Sequence, residues 1–302
     1  MKARAELEIY RRFTGALRGH PLRFWPIVVA NVRVACKKKR ALFFFYVPPA
    51  IAMIVGCFLV YAKFAVEGAM EQGDFGAGPP IQELLAMQAT QLLEVRNQIY
   101  QILVVLIGFS LLASVWFGSG LLCEDRRAGA HLLYFTRPLT RLDYFAGKFL
   151  TAAFFSGAVV FVPGIVICVF ATFTSPEWSF LKQEWDLFFR VTAYALVWVA
   201  GVGSITLCVS SLASRRVFAL IGAFAFFMLS QGVAQVLGHL VDERFKLLSP
   251  LDNLEVIARS LFKQFVGQDE PPLAAVWAAL AATVALALLV VARRIRRWEV
   301  VG

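Results

Sequence analysis

Apolar residues in this 302-residue chain fall in long uncharged runs, not in a two-residue alternation or a narrow helical stripe. Six runs, at about 42–62, 100–122, 149–173, 191–213, 217–241 and 273–292, each reach the roughly 20 residues that a helix needs to cross hydrocarbon. Backbone N–H and C=O groups find no partner in lipid, and the runs are too long for barrel strands. The pattern therefore predicts an all-α polytopic membrane protein with six transmembrane helices in one domain over 41–302. Runs four and five are separated only by Ser214, Arg215 and Arg216, a tight helical hairpin. Pro48-Pro49 and Pro163-Gly164 are expected to kink the first and third spans.

Between the runs the pattern turns amphipathic. Leu7, Tyr10, Phe13 and Leu17 recur at helical spacing among Arg11, Arg12 and Arg18; Pro21 and Pro26 interrupt them, and 27–36 leads into Lys37-Lys38-Lys39-Arg40. Residues 1–40 thus read as an interface segment lying on the membrane, its basic residues toward anionic headgroups. In loop 63–99, Ile81, Leu84, Leu85, Leu92, Val95 and Ile99 predict a helix that projects outward and continues into the second span. In loop 242–272, Leu251, Leu254, Ile257, Leu261 and Phe265 share one helical face behind Ser249-Pro250. That helix either caps the bundle or closes an exit. Four-residue stripes of small side chains, Ser114 with Gly118 and Ala274 with Ala278 and Ala282, allow close helix approach, and packing within one subunit is the simpler use. Gly201, Gly203 and Ser204 thin the fourth span.

Composition agrees: 59% of residues are apolar, only 17% are charged, and the mean hydropathy is +0.69. A soluble fold of this size could not hide that much apolar surface. Net charge is +10, and its distribution supplies an orientation. With both termini inside, the inner segments hold 22 Lys/Arg and the outer loops 8, which the positive-inside rule reads as N-in, C-in. The same rule accounts for the basic balance with no nucleic acid as partner. Cys36, Cys57, Cys123, Cys168 and Cys208 lie outside the long polar loops and show no metal-ligand spacing. The first apolar run begins too late for a cleaved signal peptide, so it should remain in the mature chain.

Candidate chemistry is sparse. No Asp, Glu, Lys or Arg lies inside the six predicted spans, which weighs against an ion-coupled carrier or proton pump. His20, His131 and His239 fall on different sides and cannot share a metal; H-E-x-x-H and G-x-S-x-G are absent. Gly147-Lys148 resembles the end of a phosphate loop, but Leu142 replaces its first Gly and Phe149 its Ser/Thr. The chain therefore reads as a non-enzyme with no cofactor of its own.

The most informative segment is the inner loop 123–148. Glu124, Asp125, Arg126 and Arg127 leave span two, Gly129 opens a short surface helix, Pro138 stops it, and Thr140 with Asp143 caps the helix that re-enters the membrane. Gly129, Pro138, Thr140, Arg141, Tyr144, Gly147 and Lys148 fall in the register of the ABC-2 family of ATP-binding-cassette transporter permeases, which this run resembles. Ala130 stands where that family usually has Thr, and Arg127 where a second acid is frequent. The six-span layout and Leu248-Ser249-Pro250-Leu251 before the last outer helix are similar too.

The resemblance implies a permease subunit in a bacterial inner (plasma) membrane, paired with a second permease and with a cytoplasmic ABC ATPase dimer that binds the ATP and Mg. It implies export of an amphipathic, lipidic or polymeric substrate. Glu124, Asp125, Arg126, Arg127, Gly129, Arg137 and Pro138 would contact the ATPase. Arg141 and Lys148, with Lys37, Lys38, Lys39 and Arg40, would hold the inner interface, and for Arg141 and Lys148 simple snorkelling to the headgroups is an equal reading. An alternative is an ATPase-driven mechanical component of an envelope machine, acting on an extracytoplasmic partner through its outer loops.

Overall fold

The computed structural model describes residues 23–71, 94–130, 140–264 and 270–298. Among them every regular element is helical. Helix α1 (Trp25–Cys36) starts with Pro26 in its first turn, where a missing N–H costs no hydrogen bond; this proline opens the helix instead of interrupting it. The exposed run Lys37 to Arg40 turns the chain into α2 (Lys39–Glu71). After α3 (Val95–Gly118) and the short α4 (Gly120–Arg127) come α5 (Arg141–Thr174), α6 (Ser179–Glu184) and α7 (Asp186–Trp198). A π-helical turn, Val199–Gly203, joins α7 to α8 (Ser204–Leu212); α9 (Arg216–Leu240), α10 (Pro250–Leu261) and α11 (Leu273–Trp298) follow.

Among the described residues, six spans are long and apolar enough to cross a membrane: Lys39–Gly68, Val95–Arg127, Arg141–Thr174, Asp186–Leu212, Arg216–Leu240 and Leu273–Arg296. All six predicted runs lie in them to within one residue, but most helices overrun the apolar stretch. Ion pairs one turn apart carry the overrun: Lys63 lies 3.6 Å from Glu67, and Arg190 lies 2.8 Å from Asp186. Pro48, Pro49 and Pro163 all sit within continuous helices.

Burial grades the spans, with α5 intermediate at 44%. In the most apolar window of α3, and in that of α7 with α8, 61% of residues are buried, against 22% in α2, α9 and α11. The centre is held by apolar packing and by a short polar chain: Trp198 Nε1 donates to Ser110 Oγ at 2.7 Å, and Ser110 Oγ donates to the Ser156 carbonyl at 2.7 Å. Three spans are thereby stitched together where no water could satisfy those groups.

The small-residue stripes divide. Ser114 and Gly118 face Thr206 of α8; a Cβ at Gly118 would lie 2.8 Å from Thr206 Cγ2. Ala274, Ala278 and Ala282 are exposed, so packing within the chain does not use that stripe. Instead α11 buries Val276, Leu280, Ala287, Val291 and Ile295.

At the end of the bundle away from the arginine-rich turns, Ser249 caps α10 by accepting from the Asp252 amide at 3.1 Å. Leu254 and Ile257 are buried, as expected for a helix packed on the bundle. Asp252 accepts from Gln231 and Gln235 of α9; burial pushes its carboxyl above the ordinary carboxylate range against those two hydrogen bonds. The expected residues Leu7 to Leu17, Ile81 to Leu92 and Phe265 lie outside the described residues.

Candidate functional site

The arginine- and lysine-rich turns meet at one end of the bundle, called the basic end below. Ile27, Leu122, Tyr144, Ala152, Leu207, Val291 and Ile295 form a second apolar cluster there, drawn from α1, α4, α5, α8 and α11. The segment singled out in the sequence enters this cluster from α4 and leaves it along α5. Residues 131–139, with Arg137 and Pro138, lie outside the described residues.

Both flanks of the segment are fixed. Ser210 Oγ accepts from the amides of Leu122 and Cys123, at 3.2 and 3.4 Å, and donates to the Ser119 carbonyl at 2.7 Å. One hydroxyl from α8 thus satisfies the break between α3 and α4, where helix ends leave backbone groups without intrahelical partners. Gly129 takes a left-handed conformation, φ +66°, just past the end of α4, with its N–H donating to the Arg126 carbonyl; a side chain would be strained there. On the far side Thr140 and Asp143 form a reciprocal capping box at the start of α5, as the sequence pattern suggested.

Lys148 departs from the sequence expectation. Its side chain is 1% exposed and its Nζ lies 2.7 Å from Asp125, so it is an interior ion pair and not a headgroup contact. The reason is its face on α5: seven residues into the helix, it points toward α4 and α1. Tyr144, one turn earlier, donates from its hydroxyl to the same Asp125 carboxylate at 2.9 Å. Lys148 also donates to Asn31 Oδ1 of α1 at 3.3 Å, while Asn31 Nδ2 donates to the Ile27 carbonyl. Gly147 allows this docking, since a Cβ there would lie 3.0 Å from Ile27.

The acidic and basic cluster on α4 splits by direction. Asp125 turns inward, and Arg126 donates to the carbonyls of Ser211 and Ala213, capping the end of α8 at the turn into α9. Arg216 donates to the Trp116 carbonyl at 3.0 Å, lies over the Trp116 ring and stands 3.7 Å from Glu124. Glu124 and Arg127 are exposed on the outside of the junction. So are Arg141 and Lys37, Lys38, Lys39 and Arg40.

Sequence reasoning missed Asn31, Ser210 and Arg216, and gave Tyr144 no role. For Tyr144 and Lys148 the signal was their spacing, four residues apart on one helical face, which does not say that the face is buried. None existed for Ser210, whose partner lies on another helix.

Mechanically, the arrangement is a linkage. Asp125, Tyr144 and Lys148 join the two flanks of the segment. Arg126 and Ser210 join them to the α8–α9 hairpin, and Asn31 joins them to α1. No cluster of ligands able to hold a metal occurs among the described residues.

Six helices long and apolar enough to cross a membrane among the described residues, with a tied junction at one end, define a multi-pass membrane protein. Residues 25–299 match the family described as ABC-2 family transporter protein, and the chain belongs to that family as a transmembrane component. Membership implies an ABC ATPase partner and, generally, a dimeric arrangement. No curated protein gave a match.

Proposed function

We propose that this chain is the permease subunit of an ABC exporter, moving an amphipathic, lipidic or polymeric substrate with energy from a separate cytoplasmic ATPase that binds the ATP and Mg. The basic end faces the cytoplasm, in keeping with the positive-inside rule. Glu124 and Arg127, with the run 131–139, meet the ATPase, while Asp125 and Arg126 pass its displacement inward. The lightly buried α2, α9 and α11 leave surface for the second permease and for lipid. The observation that supports this reading best is the linkage itself: Asp125 and Lys148, on the two flanks of 131–139, are bonded to each other, and the flanks are bonded to three further helices.

The test begins with purification from native membranes in mild detergent. A stoichiometric ATPase should travel with the chain, and its hydrolysis should depend on the chain. Exchanging the exposed charges (Glu124→Lys with Arg127→Glu) should lower that hydrolysis about tenfold or more, because like charges then face each other across the contact, while the melting temperature of the isolated chain falls only slightly, as expected for loss of the exposed Glu124–Arg216 pair. Normal hydrolysis by the variant would overturn the coupling assignment.

A further inference from the structure

We infer that the groove between the start of α5 and the end of α11 is a binding site for one anionic phospholipid. The groove encloses about 740 Å³. Arg141 stands on its α5 wall and Arg296 on its α11 wall. Leu142, Phe145, Leu288, Ala292 and Ile295 supply the rest of the lining, with the backbone around Thr140. Polarity is therefore graded along one direction. From Leu288 to Arg296 the helix rises about 12 Å, the apolar lining lying deep and the two guanidinium groups at the mouth.

That gradient matches an amphiphile standing in the bilayer. Arg141 begins one membrane-crossing span and Arg296 ends another, so both sit at the level of headgroups, where basic pockets between spans select anionic lipids. A guanidinium pairs with any lipid phosphate through two parallel hydrogen bonds; the cation of a choline or ethanolamine head repels the second arginine, whereas an anionic head does not. The helix terminus is not the ligand: Asp143 already accepts from the Thr140 amide and hydroxyl, at 3.0 and 2.8 Å. A second copy of this chain is a poor occupant, since two-fold packing on this face would bring like charges together, with exposed Arg293 beside them. Ile295 belongs at once to the groove and to the apolar cluster under Tyr144 and Ile27. A bound acyl chain would thus press on the packing that holds the junction.

The test uses the purified protein in nanodiscs of zwitterionic lipid doped with phosphatidylglycerol carrying a diazirine in its acyl chain. Labelled peptides should contain 141–145 and 288–296, and labelling should exceed that by the matching phosphatidylcholine probe about thirtyfold, as two arginines at the surface would give. Arg141→Gln with Arg296→Gln should erase the preference. Ala292→Trp, which fills the groove but keeps both charges, should erase the labelling. Equal labelling by both probes would overturn the headgroup assignment. Absence of label from these peptides in the unaltered protein would overturn the site, leaving a second copy or another segment of this chain as the cover.

Discussion

A single lysine shows how far residue identity alone reaches. Its position at 148 is plain in the sequence, but its direction is not, because α5 is apolar on nearly every side and periodicity marks no buried face. Its partner Asp125 lies 23 residues away on another helix. Only the tertiary arrangement turns two charges that could each meet water or headgroups into one interior pair. The pair is unequal: Lys148 is 1% exposed and Asp125 17%. Removing the carboxylate leaves a buried ammonium without its paired counter-charge, with Glu124 as a weaker one, whereas removing the amine leaves a more exposed carboxylate that keeps Tyr144. Asp125→Asn should therefore cost about 3–5 kcal/mol and Lys148→Met about half of that, while the double variant recovers most of the loss. Thermal unfolding of the four proteins in detergent checks the order. Simple addition of the two losses would show that the groups do not interact.

At the scale of elements the sequence reads well where composition sets the outcome and poorly where geometry does. Six apolar runs suffice to find six spans, since lipid leaves the backbone no alternative to helix. The ends escape notice because pairs such as Asp186 with Arg190 let a helix run on past the hydrocarbon. The π-helical turn at Val199–Gly203 is equally invisible, as one extra residue in a turn changes no composition. Stripes of small residues are ambiguous for the same reason. Gly118 lies against Thr206, whereas Ala274, Ala278 and Ala282 face outward, and the two patterns look alike in sequence. The crossing of α3 with α8 is tested by size. Gly118→Ala should lower stability by about 1–3 kcal/mol, since its Cβ would overlap Thr206 Cγ2. Thr206→Ser removes that methyl while keeping the hydroxyl, so the double variant should regain most of the melting temperature. Loss without rescue would mean that the helices meet elsewhere.

On the scale of the whole molecule, the charge distribution and the linkage have to agree, and this makes orientation the deciding measurement. The junction of α1, α4, α5, α8 and α11 can take force from an ATPase only if the basic end lies in the cytoplasm. The chain carries its own reporter. Cys36 is exposed beside Lys37, Cys123 and Cys168 are buried, and Cys57 and Cys208 lie half-buried within spans. In sealed right-side-out vesicles a membrane-impermeant maleimide should leave Cys36 unmodified, and permeabilisation should expose it. On a Cys36→Ser background, Glu243→Cys, at an exposed position at the opposite end, should react before permeabilisation. The reverse pattern would place Glu124 and Arg127 beyond the reach of any cytoplasmic protein and would overturn the coupling assignment, however well the six spans fit the bilayer. The expected pattern would leave the Asp125–Lys148 linkage on the side where nucleotide energy is available. The two arginines of the lipid groove would then face the leaflet whose anionic headgroups they suit.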